Sequence, residues 1–104
     1  SAEELAELLE SYGMTVTLAH NVGQALDKGR QRSFAVAVID VGLGLESGLD
    51  IAEAWHGSGP YIVLLTGSPV AETLMSRFAA PAPPVLIKPL DVSQLLDIIA
   101  RHQS

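Results

Sequence analysis

The chain contains no cysteine, which excludes a disulfide framework, a thiol nucleophile and a Cys-based zinc site and suits a reducing compartment. Basic residues are scarce: 6 Lys and Arg stand against 12 Asp and Glu, for a formal net charge of -6. Such a balance repels a phosphate backbone instead of releasing its counterions, so no nucleic-acid contact is expected. No apolar run approaches the roughly 20 residues that span a bilayer, and residues 1–10 are acidic and helical where a signal peptide would be basic and then apolar. Neither membrane anchor nor signal peptide is expected, and the cytoplasm is the default location. The three histidines, His20, His56 and His102, sit in separate segments without ligand spacing and read as surface or turn residues.

What is present is apolar and ordered. At 104 residues and 48% hydrophobic, the chain can build one core, and a single domain over residues 1–104 is expected. Ser1 and Glu4 have capping-box spacing, and Leu5, Leu8, Leu9 and Tyr12 recur at helical intervals, so the chain opens directly into a helix that Gly13 ends. Glu3, Glu4, Glu7 and Glu10 form its solvated face. Met14, Val16 and Leu18 alternate with Thr15, Thr17 and Ala19, predicting a short strand over about 14–19. Asn21 with Gln24 starts a second helix, with a narrow stripe of Val22, Ala25 and Leu26 ahead of Gly29.

The pattern then changes. Phe34 to Ile39 is a continuous apolar run ending at Asp40, as in a central parallel strand covered on both faces. Gly42, Gly44, Ser47 and Gly48 make a loop, and Leu49, Ile51, Ala52 and Trp55 support a helix that stops near Gly57. A second run, Tyr61 to Leu65, ends at Thr66-Gly67. Ser68-Pro69 has the chemistry of a helix start, with Val70, Leu74 and Phe78 following. Pro81, Pro83 and Pro84 mark a stiff connection to a third strand, Val85 to Ile87, which ends at Lys88-Pro89. Asp91 with Gln94 caps a last helix whose stripe is Val92, Leu95, Leu96 and Ile99.

Alternation of this kind specifies an α/β fold, an open doubly wound parallel sheet with helices on both faces. Chemistry in such sheets gathers at the carboxyl ends of the strands. Asp40, Thr66 and Lys88 terminate the three most apolar strands and should meet there. A carboxylate, a hydroxyl and an ammonium at adjacent strand ends suit phosphoryl transfer to the carboxylate. Asp40 would attack phosphorus, while Lys88 and Thr66 would stabilise charge on the phosphoryl oxygens. An Asp nucleophile also begins phosphatase reactions, but those need a general acid close behind, and Val41 and Gly42 offer none. No enzyme is expected.

The order Asp40, Thr66-Gly67, Lys88-Pro89 on successive strands, with Gly48 eight residues after Asp40, resembles the receiver domain of bacterial two-component response regulators over the whole chain. The resemblance implies that Asp40 accepts a phosphoryl group from a histidine kinase or phosphotransfer protein. Thr66 would be the switch hydroxyl, Lys88 would contact the phosphoryl group, and the Lys88-Pro89 peptide would be cis. It also implies that the exposed side of the first helix is open to docking the kinase.

Two departures accompany the match. The family begins with an apolar strand carrying an acidic pair for Mg²⁺, and here the first helix comes first. The metal site would then consist of Asp40 and the carbonyl of Gly42, a set expected to hold Mg²⁺ weakly or not at all. A partial sequence, a strand exchanged between chains in a homodimer and a degenerate receiver all remain open as origins of that gap. Val85 stands where many receivers carry a switching aromatic, so output would use the segment 67–78 or another aromatic such as Phe78. The expected function is a phosphorylated receiver that switches a protein-interaction surface. The alternative is a phosphorylation-independent interaction or dimerisation module of the same fold.

Overall fold

The computed structural model describes residues 2–41, 46–67 and 75–103. Ser1 of the capping box, the loop glycines Gly42 and Gly44, the side chain of Ser47 and the helix start at Ser68-Pro69 with Val70 and Leu74 lie outside the described residues. The chain divides into two compact units, residues 1–32 and 33–104.

In the first unit, α1 spans Ala2–Ser11 with Glu3 and Glu4 in its first turn, where acids complement the helix dipole. Ala6 and Leu9 are buried, and the four glutamates at 3, 4, 7 and 10 are exposed, as the pattern requires. Gly13, at φ 88°, terminates the helix in a Schellman motif. Its N–H donates to the Glu10 carbonyl (2.9 Å) and that of Met14 to the Leu9 carbonyl (3.3 Å). Tyr12, expected on the apolar face, is 59% exposed because it lies in that turn, where the 3.6-residue period no longer applies.

Side chains 14, 16 and 18 are half-buried and 15, 17 and 19 exposed, the alternation of a strand. Yet residues 14–19 form no ladder among the described residues. Alternation sets which side chains face inward, whereas a strand also needs a hydrogen-bonded neighbour. Helix α2 then spans Val22–Gln31. The Asn21 side chain accepts from the Gln24 N–H at 2.9 Å, while the Gln24 side chain accepts from the His20 N–H at 2.8 Å. Val22, Ala25 and Leu26 are half-buried, and the helix continues through Gly29 with Lys28 and Arg30 in its last turn, where cations suit the dipole.

In the second unit, β1 (Val36–Asp40), β2 (Tyr61–Thr66) and β3 (Val85–Ile87) form a parallel sheet in the order β1-β2-β3. Helix α3 (Glu46–Trp55) connects the first two strands, and α4 (Val92–His102) follows the third. The register pairs Val36 with Tyr61 through Asp40 with Leu65, and Leu64 with Val85 through Thr66 with Ile87. Strand β2 is the central one, with Ile62, Val63, Leu64 and Leu65 all buried. Burying each such side chain fully stabilises by about 1.5–3 kcal/mol.

The expectation that the Phe34–Ile39 run is a central, doubly covered strand is corrected in two respects. The strand begins at Val36, and its apolar residues are half-buried, because among the described residues β1 has a ladder on one side only. The main cluster packs Leu49 and Ala52 of α3 against Ile62 and Leu64 of β2 and against Phe78. Asp91 caps α4 by accepting from the Gln94 N–H at 3.3 Å, and Leu95 and Ile99 of its stripe are buried. Together these elements make the doubly wound, flavodoxin-like α/β arrangement.

Candidate functional site

Each site residue owes its place to the end of an apolar strand. Asp40 is the last residue of β1, Thr66 the last of β2, and Lys88 follows β3 directly. Because all three strands run the same way, these ends share one edge of the sheet. The ladder extends past the strands and holds them in step: the Val41 N–H donates to the Leu65 carbonyl at 2.7 Å, and the Lys88 N–H to the Thr66 carbonyl at 2.8 Å.

Across that edge, Lys88 Nζ donates to Oδ2 of Asp40 at 2.5 Å. Both side chains are nearly half exposed, so water and a donor molecule can reach the pair. Thr66 lies between their strands and is buried at 5% exposure. The Lys88-Pro89 peptide is cis. A carboxylate held against a fixed ammonium is chemically suited to receive a group that carries negative charge, since the cation can move from the carboxylate to the incoming oxygens.

Gly42 lies outside the described residues, and among those described no group of three or more His, Cys, Asp or Glu is placed to hold an ion. Receivers generally hold Mg²⁺ in an acidic pocket. At these strand ends the described residues offer the carboxylate of Asp40, already engaged by Lys88, whereas Mg²⁺ requires near-octahedral oxygen coordination. That donor set does not fit a tightly held magnesium ion.

Elsewhere, Val85 is half-buried at the start of β3, and Phe78 is 7% exposed within the core. The histidines of the second unit take structural contacts: His56 Nε2 donates to the Ala79 carbonyl at 2.7 Å, and the His102 ring stacks on Tyr61 at 3.5 Å between centroids. Arg77 pairs with Asp50 at 2.9 Å and also with Glu53. Sequence reasoning passed over Arg77. Its available signal was the row Asp50, Glu53 and His56, spaced by three along one helix.

A family model described as the response regulator receiver domain matches residues 1–100. The chain is 34% identical over 94 residues to the acid tolerance regulatory protein ActR of Sinorhizobium medicae (strain WSM419), covering 88% of this chain and 48% of that protein. It is 33% identical over 94 residues to ActR of Rhizobium meliloti (strain 1021), with the same coverage. With the transcriptional regulatory protein ZraR of Klebsiella oxytoca it shares 30% over 93 residues, covering 88% of this chain and 21% of that protein. The chain thus spans about half the length of the first two relatives.

Proposed function

The chain belongs to the response regulator receiver family, and on that footing we propose that it accepts a phosphoryl group on Asp40 and switches a protein-interaction surface in response. The observation that carries this reading is the Lys88 ammonium resting 2.5 Å from the Asp40 carboxylate, across the end of the intervening strand that closes with Thr66. An oxygen of Asp40 would attack the phosphorus of a phosphohistidine on a kinase or phosphotransfer protein. An O–P bond forms as the P–N bond breaks, and the departing nitrogen keeps the electron pair. Lys88 would follow the charge onto the phosphoryl oxygens and Thr66 would donate to one of them. The chain itself catalyses no turnover in this scheme; it is a substrate and a switch.

We read residues 1–104 as one receiver domain, a view supported by a family match that runs unbroken across both compact units. The net charge of -6 argues against these residues contacting DNA. It speaks for them alone, since a relative named as a transcriptional regulator is almost five times the matched length. No helix among the described residues is long and apolar enough to cross a membrane, and the cytoplasm is the proposed location. Homodimerisation by strand exchange is a further element of the reading, supported by the ladder that β1 makes, among the described residues, on one side only.

Incubation with acetyl phosphate and Mg²⁺, followed by intact mass measurement, tests the function. The wild type should gain one phosphoryl group and Asp40→Asn none. Equal partner binding by the two proteins would instead favour the phosphorylation-independent module.

A further inference from the structure

Two segments lie downstream of the two site strands. Helix α3 follows β1, which ends in Asp40, and residues 75–79 belong to the stretch that follows β2, which ends in Thr66. They are fastened together at three points. The Arg77 guanidinium bridges Asp50 and Glu53 of α3. One residue on, Phe78 is buried against Leu49 and Ala52 of the same helix. One residue further, the Ala79 carbonyl accepts from His56 Nε2 at 2.7 Å, while the His56 ring meets Phe78 edge to face with centroids 5.4 Å apart.

We propose that Arg77 and His56 form a clasp that makes α3 and residues 75–79 a single moving body. The spacing supports this. Asp50, Glu53 and His56 stand three residues apart, so they line neighbouring turns of one side of the helix. His56 extends that row past Trp55 because its own N–H still donates in helical fashion to the Ala52 carbonyl at 2.9 Å. Three consecutive residues of the partner segment, Arg77, Phe78 and Ala79, each take one of these contacts. A carbonyl can only accept, so Nε2 of His56 carries a proton. One guanidinium nitrogen, Nη2, donates to both carboxylates, so its two N–H bonds hold the bridge.

Exposed ion pairs hold little on their own. Their value here is geometric, because they fix the rotation and height of residues 75–79 on the helix while Phe78 supplies the buried contact. Packed contacts of this kind shift between discrete arrangements and do not deform smoothly. A change at Asp40 that displaces α3 would therefore carry residues 75–79 with it. This transmission rests on the receiver reading above, whereas the clasp rests on the contacts alone.

Hydrogen exchange by mass spectrometry separates the two. In the unmodified protein, Arg77→Gln should raise exchange in peptides covering 46–56 and 75–79 together, by about 3–10-fold, and leave α4 unchanged. The double variant Asp50→Asn/Glu53→Gln should reproduce that pattern, and Arg77→Lys should restore part of the protection. An increase confined to one segment, or none in either, overturns the clasp. With acetyl phosphate, and phosphoryl gain checked by intact mass, both segments of the wild type should change protection in step and those of Arg77→Gln independently. A change in one wild-type segment alone overturns the transmission. Absence of phosphoryl gain overturns the transmission together with the receiver reading, while the unmodified samples still decide the clasp.

Discussion

Lys88 reaches across the end of β2 to place its ammonium 2.5 Å from the Asp40 carboxylate, although 48 residues separate them in the chain. Because both side chains are nearly half exposed, the pair contributes little to folding, about 0–1 kcal/mol. Its importance would lie in chemistry. Lys88→Ala should therefore leave the melting temperature almost unchanged yet lower phosphoryl transfer to Asp40 by about a hundredfold, the scale of losing one charge-stabilising donor. Calorimetry and time-resolved intact mass on the same samples check both halves. A large loss of stability with unchanged phosphorylation would refute the assignment.

Stability should instead be concentrated in β2. Leu64 is fully buried between α3 and the sheet, with Phe78 beside it, so Leu64→Ala should cost about 2–5 kcal/mol through lost burial and a residual cavity. Val38 of β1 is half-buried, and Val38→Ala should cost roughly half as much or less. Urea denaturation of the two variants gives the comparison directly.

The contrast between those strands also shows what the sequence could and could not reveal. Tyr61–Leu65 and Val85–Ile87 were legible as strands because continuous apolar runs bounded by Pro and polar ends leave few alternatives. The placement of Asp40, Thr66 and Lys88 at one end of three neighbouring strands followed from their parallel alternation with helices. Met14–Leu18 has a strand's alternation without a ladder, since pairing depends on a neighbour that the local pattern does not contain. The contacts of Arg77 with residues 24 and 27 positions earlier have no signature around Arg77 itself, only the row Asp50, Glu53 and His56 on the other side. They arise from how the segment before Pro81 returns to α3.

Chain ends of helices make a second kind of stability test. Helix α2 has no fully buried residue, so it draws little on the core and more on its caps. Asn21→Ala removes the acceptor for the Gln24 N–H and should cost about 0.5–2 kcal/mol. At Gly13, where φ is 88°, alanine would meet the left-handed penalty of about 1–2 kcal/mol, although the space for its Cβ is open. Loss of helical circular dichroism at lower temperature in both variants is the expected result.

Arg77 gives a prediction whose sign follows from its surroundings. The hydrogen bonds that the guanidinium donates to Glu53 first, and then to Asp50, raise its pKa above the ordinary value. A basic group raised on folding contributes its stability in full below the unfolded value, and that contribution fades only as pH climbs through the still higher folded value. The window of loss thus lies at strongly alkaline pH, outside the range in which the protein would be handled. The melting-temperature difference between wild type and Arg77→Gln should accordingly stay constant from about pH 7.5 to about pH 9.5. Salt should act differently, because the Arg77 side chain is about a third exposed. Raising ionic strength from about 0.1 M to about 1 M shortens the screening length from about 10 Å to about 3 Å and should shrink that difference. A difference that ignores salt would show that Arg77 acts through packing and not through its two carboxylates.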